Sequence, residues 1–275
     1  MPIKTILVPL ADAEGAQNTL AAAFALGQKF GATVDVLHLR SDPTDAIGDF
    51  VGETVSPQLI EQVLTQAEKR GTATAAQARK AYDAAAIKVT GVKTTYSQAK
   101  SRNDLTVETR GRLTDLIVVR RARNSKDVIA RITAEAALMG TGRPVLVIPA
   151  KASAKTGSNI AIAWNGSLEA SKAVGAALPF LTRADKVTVI SANDGSGIDQ
   201  KGIIRYLGRH GIKAKAVTVK AGADTGRAIV NATGRTGADL LVMGAYTHSR
   251  VREMIFGGVT EHALASARLP VLMVH

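Results

Sequence analysis

Glycines stand at both ends of a basic, hydroxyl-bearing loop near the end of the chain. Gly244 follows the apolar run Ala238 to Met243, and Gly257-Gly258 precede the stretch VTEHAL. Between and just beyond them lie Thr247, Ser249, Arg250, Arg252 and Thr260. Glycine admits positive φ and leaves backbone N–H groups bare, so a bulky anion can come against them. A helix beginning behind the second glycine pair adds positive potential, while the arginines and threonines add charge and hydroxyl donors. These residue types specify a cradle for a phosphate chain. Neither of the two common phosphate strings describes it, because G-x-x-x-x-G-K-[ST] and G-x-G-x-x-G are both absent.

Other chemistry finds little support. His248 and His262 lie fourteen residues apart with no carboxylate or histidine at ligand spacing, so no metal centre is expected. Glu253 and Glu261 read as helix-surface glutamates, not as a general base. No G-x-S-x-G elbow exists, and Ser167 after Asn165-Gly166 reads as a helix cap. The chain has no cysteine, which removes a thiolate nucleophile and a disulfide frame and suits a reducing cytoplasm. Hydrolysis, if any, is expected to be slow.

Positioning such a loop takes strands that end beside it. In the second half, short apolar runs at Ile160–Trp164, Lys186–Ser191, Ala214–Val219, Asp239–Met243 and Pro270–Val274 alternate with helical spacing at Leu168–Leu181, Ile198–Arg209, Thr225–Thr236 and Arg250–Ala267. That alternation indicates βαβ crossovers and a parallel sheet. The first half repeats the plan, with strands at Ile3–Leu10, Thr33–Leu39, Lys88–Ser97, Asp115–Arg120 and Val145–Ile148, and helices at Ala16–Phe30 and Asp127–Met139. An insertion, Ser41–Ala86, carries a long Ala-rich helix from Pro57 with a break expected near Gly71.

The chain is written twice. TDLIVVRR…RPVLVIPA from Thr114 matches ADLLVMGA…LPVLMVH from Ala238, and TILVPLADAEGAQNTL from Thr5 matches NIAIAWNGSLEASKAV from Asn159. The expected fold class is therefore α/β, with two doubly wound open parallel-sheet domains in tandem, 1–150 and 151–275, joined near Ala150–Asn159. Pro144 and Pro270 open the last strand of each half, so these strands are expected to be edges or to pair through the residues beyond the proline. A partner chain or the other half is expected to cover them.

In these motifs the sequence resembles the universal stress protein family, of the tandem two-domain type, over nearly its whole length. Nucleotide-binding members carry G-x-x-G, nine residues, then G-[ST] and a small segment of Val and Ser or Thr. Here Gly244-Ala245-Tyr246-Thr247 is followed by nine residues, His248 to Phe256, and then by Gly257-Gly258-Val259-Thr260. Thr247 replaces the second glycine and Gly258 replaces the Ser/Thr. The resemblance implies Rossmann-like domains of the adenine nucleotide alpha hydrolase type. It also implies ATP or a related adenine nucleotide, with Mg²⁺, in the second half. The implied contacts are Ala163, Trp164 and Asn165 after the first strand, with Asn165 at the ribose. Ala192 lies near the adenine, and Met243, Gly244, Thr247, Gly257, Gly258, Val259 and Thr260 lie around the phosphates. A homodimer or an intrachain pair through the last strands is a further implication. Trp164 also fits a core position.

The first half lacks the loop. Arg120 stands where Gly244 does, Arg131 and Ile132 where Gly257 and Gly258 do, and Ala11 where Asn165 does. No nucleotide is expected there, although Arg120, Arg121, Arg123 and Lys126 suit an anion or the other half. Net charge is +12, with 16 basic and 8 acidic residues in 151–275 against 19 and 15 in 1–150, which favours an anionic partner. A nucleic acid is not expected, because no recognised motif is present, nor is a membrane, because no apolar run reaches about 18 residues. A second reading is an interaction scaffold that binds no nucleotide.

Overall fold

Short runs rich in valine, isoleucine and leucine, separated by helices, form strands buried on both faces, as parallel strands are when crossovers cover both sides. The computed structural model describes residues 2–13, 15–40, 42–44, 56–100, 103–124, 126–150, 156–193, 199–220, 222, 224–245 and 258–275. The first half comprises β1 (Thr5–Leu10), α1 (Ala16–Phe30), β2 (Thr33–Arg40), α2 (Pro57–Ala86), β3 (Thr94–Lys100), α3 (Asn103–Gly111), β4 (Leu116–Arg120), α4 (Val128–Gly140) and β5 (Val145–Ile148). The second comprises β6 (Asn159–Ala163), α5 (Leu168–Leu181), β7 (Lys186–Asn193), α6 (Gln200–Arg209), β8 (Ala214–Lys220), α7 (Thr225–Arg235), β9 (Leu240–Gly244), α8 (Gly258–Ser266) and β10 (Val271–Val274).

All ten strands belong to one sheet, in the order β3-β2-β1-β4-β5-β10-β9-β6-β7-β8. Each half is parallel within itself, and the halves meet where β10 runs antiparallel to β5, pairing Val271 with Val147, Leu272 with Leu146 and Met273 with Val145. Pro144 and Pro270 thus precede central strands, not edges. The pairs lie beyond each proline, and each proline uses its carbonyl alone, accepting from Ile117 N and Leu241 N at 3.0 Å.

Two helical layers cover the sheet, and both apolar clusters cross the seam. One unites residues of α1, α2, α5 and α6, including Leu20, Phe24, Tyr82, Val174, Phe180 and Leu207, with Leu146 and Leu272. The other unites residues of α3, α4, α7 and α8 with Val145, Val147, Val271 and Met273. Phe30 meets Phe180 edge-on at 4.8 Å, and Lys29 Nζ donates to the carbonyls of Thr156 and Gly157 at 3.1 and 2.9 Å, tying α1 to the start of the second half. A repeated device begins each half. Asp115 accepts from the N–H groups of Lys4 and Thr5, and Asp239 from those of Gly157 and Ser158.

Two expectations are corrected, and one helix is new. The long helix is continuous from Pro57 to Ala86, because Gly71 faces Arg40, whose Nε would lie 3.1 Å from an added Cβ, so this glycine serves close packing and not a break. Its start follows the sequence signal, Ser56 Oγ accepting from Leu59 N at 3.3 Å ahead of Pro57. The third strand runs Thr94–Lys100, shifted from Lys88–Ser97, since its register is set by pairing with β2 from Val34↔Thr94 to Arg40↔Lys100. Helix α3 was not anticipated; in it Val107 is fully buried while Leu105 is half exposed, so its apolar period is faint. Of the expected helix Arg250–Ala267, the segment before Gly258 lies outside the described residues.

Because the cores are shared, the halves should unfold together. Leu146→Ala, in the first half, should cost about 2–5 kcal/mol. Urea unfolding followed by the fluorescence of Trp164, the single tryptophan and in the other half, should shift by the same amount as far-UV circular dichroism. Separate transitions would contradict a shared core.

Candidate functional site

In an open parallel sheet, ligands bind beyond the carboxyl ends of the strands where the strand order reverses. In the second half that point lies between β6 and β9. Ala163 ends β6 and is followed by Trp164 and Asn165; Ala192 lies near the end of β7; Met243 and Gly244 end β9. Gly258, Val259 and Thr260 open α8, whose first N–H groups have no partner within the helix. Ala163, Met243, Ala192 and Val259 belong to one apolar cluster with Ala245 and Ala263, on the side of the sheet covered by α7 and α8. Thr260 is buried. Thr247 and Gly257 lie outside the described residues.

Local geometry explains several of these residue types. Gly166 adopts φ 74°, which only glycine takes without strain, and closes a turn in which Asn165 Oδ1 accepts from Ser167 N at 3.1 Å. Ser167 Oγ then accepts from Ala170 N at 3.1 Å and caps α5 as its sequence context indicates. Asn165 is exposed, with its amide nitrogen left for another acceptor. A Cβ on Gly244 would stand 2.6 Å from the backbone of Glu169 and Ala170, so a side chain there would push the start of α5 away. Trp164 packs against the α5 and α6 layer, on the opposite side of the sheet from Ala163. Its Nε1 and the Oγ of Ser191 are buried without a hydrogen-bond partner among the described residues.

The first half has the same switch point, between β1 and β4, and fills it. Arg120, at the end of β4, donates to Asp12 Oδ2 at 2.5 Å and to Asp127 Oδ1 at 2.9 Å. The Arg120 hydrogen bond holds the Asp127 carboxyl at about 2, against the opposing effect of burial. The space left among Pro9–Asp12, Val119, Arg120, Ala130 and Thr133 is about 10 Å³, room for about one water and too little for a phosphate. At the position in β2 that corresponds to Ser191 in β7 stands His38, fully buried, its Nδ1 2.9 Å from the Leu10 carbonyl. A carbonyl only accepts, so Nδ1 carries the proton. Burial lowers the pKa of this imidazole and keeps it neutral. Arg121 reaches across the seam and donates to the Ala267 carbonyl at the end of α8.

Residues 2–149 and 200–275 match the universal stress protein family. The chain belongs to that family. A solved universal stress protein from Archaeoglobus fulgidus DSM 4304 shares the fold with a TM-score of 0.71 at 14% identity, covering 98% of this chain and 95% of that one. A functionally unknown protein from Pseudomonas aeruginosa PAO1 does so with a TM-score of 0.57 at 16% identity, covering 99% and 92%. At these identities the likeness is one of fold. No curated protein matches the chain.

Within this universal stress protein, sequence reasoning found Arg120 but not its partners. The signal was present in carboxylates two residues after β1 and at the residue preceding α4; what joins them is the β1–β4 pairing, Ile6↔Leu116 and Leu7↔Ile117. Arg120→Ala leaves Asp12 and Asp127 facing one another and should cost roughly 3 kcal/mol at neutral pH. The depressed Asp127 stabilises above its unfolded value near 4, and that contribution is lost as pH falls through about 2. The gap in melting temperature between wild type and variant should therefore be constant from pH 7 to about 4 and shrink below. A gap independent of pH down to about 2 would contradict the ion cluster.

Proposed function

We propose that the second half binds ATP or a related adenine nucleotide, with Mg²⁺ on its phosphates, and that binding shifts conformation or partner choice in a cytoplasmic stress response. The observation that carries this reading is the contrast between the two switch points. The first is filled by its own arginine and two carboxylates. In the second, Gly244 stands where Arg120 stands in the first and α8 begins with Gly258-Val259-Thr260, and no ion pair like that of Arg120 is present among the described residues there. Asn165 would face the ribose, Ala192 the adenine, and Gly244, Thr247, Gly257, Gly258 and Thr260 the phosphates, with Ala163, Met243 and Val259 as walls and Trp164 on the other side of the sheet. Mg²⁺ would neutralise phosphate charge; the first half, joined through β5 and β10, would stand where a second subunit stands in a dimer. Membership of the family and the absence, among the described residues, of any helix able to cross a membrane are consistent with this reading.

One observation favours the scaffold reading instead. Gly244 is accounted for by the approach of α5 alone, so its presence does not require a ligand. Calorimetric titration with MgATP separates the two. The nucleotide reading expects saturable binding of one equivalent per chain, loss of binding in Gly258→Val, and about tenfold weaker binding in Asn165→Ala, the equivalent of one good hydrogen bond. Melting temperature should rise with ligand in the wild type by mass action. Absence of saturable binding at millimolar MgATP, with both variants melting like the wild type, would leave the scaffold.

A further inference from the structure

The charge excess of the second half is not spread over its surface. Residues 201–220 contain Lys201, Arg205, Arg209, Lys213, Lys215 and Lys220 and no acidic residue. All six are exposed, and among the described residues none has a carboxylate within ion-pairing distance. They occupy α6, β8 and, at Lys213, the turn between them, and β8 is an edge of the ten-stranded sheet. The corresponding edge of the first half, α2 and β3, is of mixed sign, with Arg79 paired to Asp83 and Lys100 to Glu68.

Lysines on an edge strand are one way of keeping another strand from adding there, and Lys215 and Lys220 serve that purpose. The cations of α6 do not. Lys201, Arg205 and Arg209 recur every fourth residue and form a single row along the helix, with a rise of about 6 Å between neighbours. That rise is comparable to the separation of successive phosphates on an extended strand. Tyr206 and His210 lie next to the row, both exposed, with ring centroids 4.8 Å apart and a tilt of 59°. An exposed aromatic pair beside a row of cations suits bases that stack while the backbone tracks the charge. The apolar side of α6 is turned inward, with Ile203 and Leu207 buried in the core, so the helix has no greasy face with which to enter a bilayer.

We propose that the α6–β8 edge is a docking surface for single-stranded nucleic acid, held by phosphate contacts from the α6 row and by base stacking on Tyr206. A motif search does not register such a surface, because its cations are specified by helix period and strand position and not by a consensus string. Binding is expected to be indifferent to sequence and independent of MgATP.

The test is fluorescence anisotropy with a labelled oligothymidylate of about 20 nucleotides, longer than a single such site. Binding at low salt should weaken with a slope of about −2 to −4 in log K against log salt. The triple variant Lys201→Gln, Arg205→Gln, Arg209→Gln should lose at least about tenfold in affinity and flatten the slope by about 2. A control carrying the same charge change, Lys69→Gln, Lys80→Gln, Lys88→Gln, should lose less than about threefold, and Tyr206→Ala should lose about fivefold or more. All are surface changes, and matching circular dichroism melts establish that each variant is folded. Equal losses in the two triple variants would reduce the effect to net charge and overturn the proposal. So would no binding at low salt, or a preference for phosphatidylserine vesicles that depends on the same row.

Discussion

The antiparallel pairing of β5 with β10 is the constraint on which the rest of the molecule depends. Three residue pairs join two parallel sheets into one, and Leu146 opposite Leu272 is wholly buried in the join. Strands that would otherwise present bare edges satisfy their backbone groups on both sides. Because the pairing reverses direction, the carboxyl ends of the two halves point to opposite edges of the common sheet. The two switch points therefore face away from each other, and neither can complete the other.

From that arrangement one architecture holds two differently treated crevices. A strand-order reversal leaves a cleft at the strand ends wherever it occurs, and the cleft must be occupied by something. In the first half the occupant is intramolecular, a guanidinium between two carboxylates beside a buried neutral histidine. In the second the chain supplies small residues and a helix start. The two halves thus differ at a few corresponding positions: Arg120 against Gly244, Ala11 against Asn165, His38 against Ser191.

Glycine in this chain has two physical meanings that look alike in the sequence. Gly166 is required by a positive φ, while Gly244 is required by the closeness of α5. The sequence alone leaves Gly244 open to a phosphate cradle, and the structure gives it a packing duty. Charge shows a parallel ambiguity. Arg120 is neutralised internally, whereas the six cations of residues 201–220 have no ion-pair partner among the described residues, so one net charge covers two opposite local situations.

The sequence by itself determined the class, the tandem repeat and most elements, since these follow from local periodicity and from caps such as Ser56, Ser167 and the turn glycines. Helices α1 and α5 and strand β5 have the bounds read from the chain, because apolar spacing and turn residues are local information. Register was not local: β3 lies where β2 holds it, and α3 shows too little apolar period to be seen without its neighbours. Tertiary structure alone decided that the proline-led strands are central and antiparallel. It also placed Asp12 and Asp127 on Arg120, and kept Gly71 inside a continuous helix. Each of these depends on which strand lies beside which, a long-range contact that a single sequence carries no period to announce.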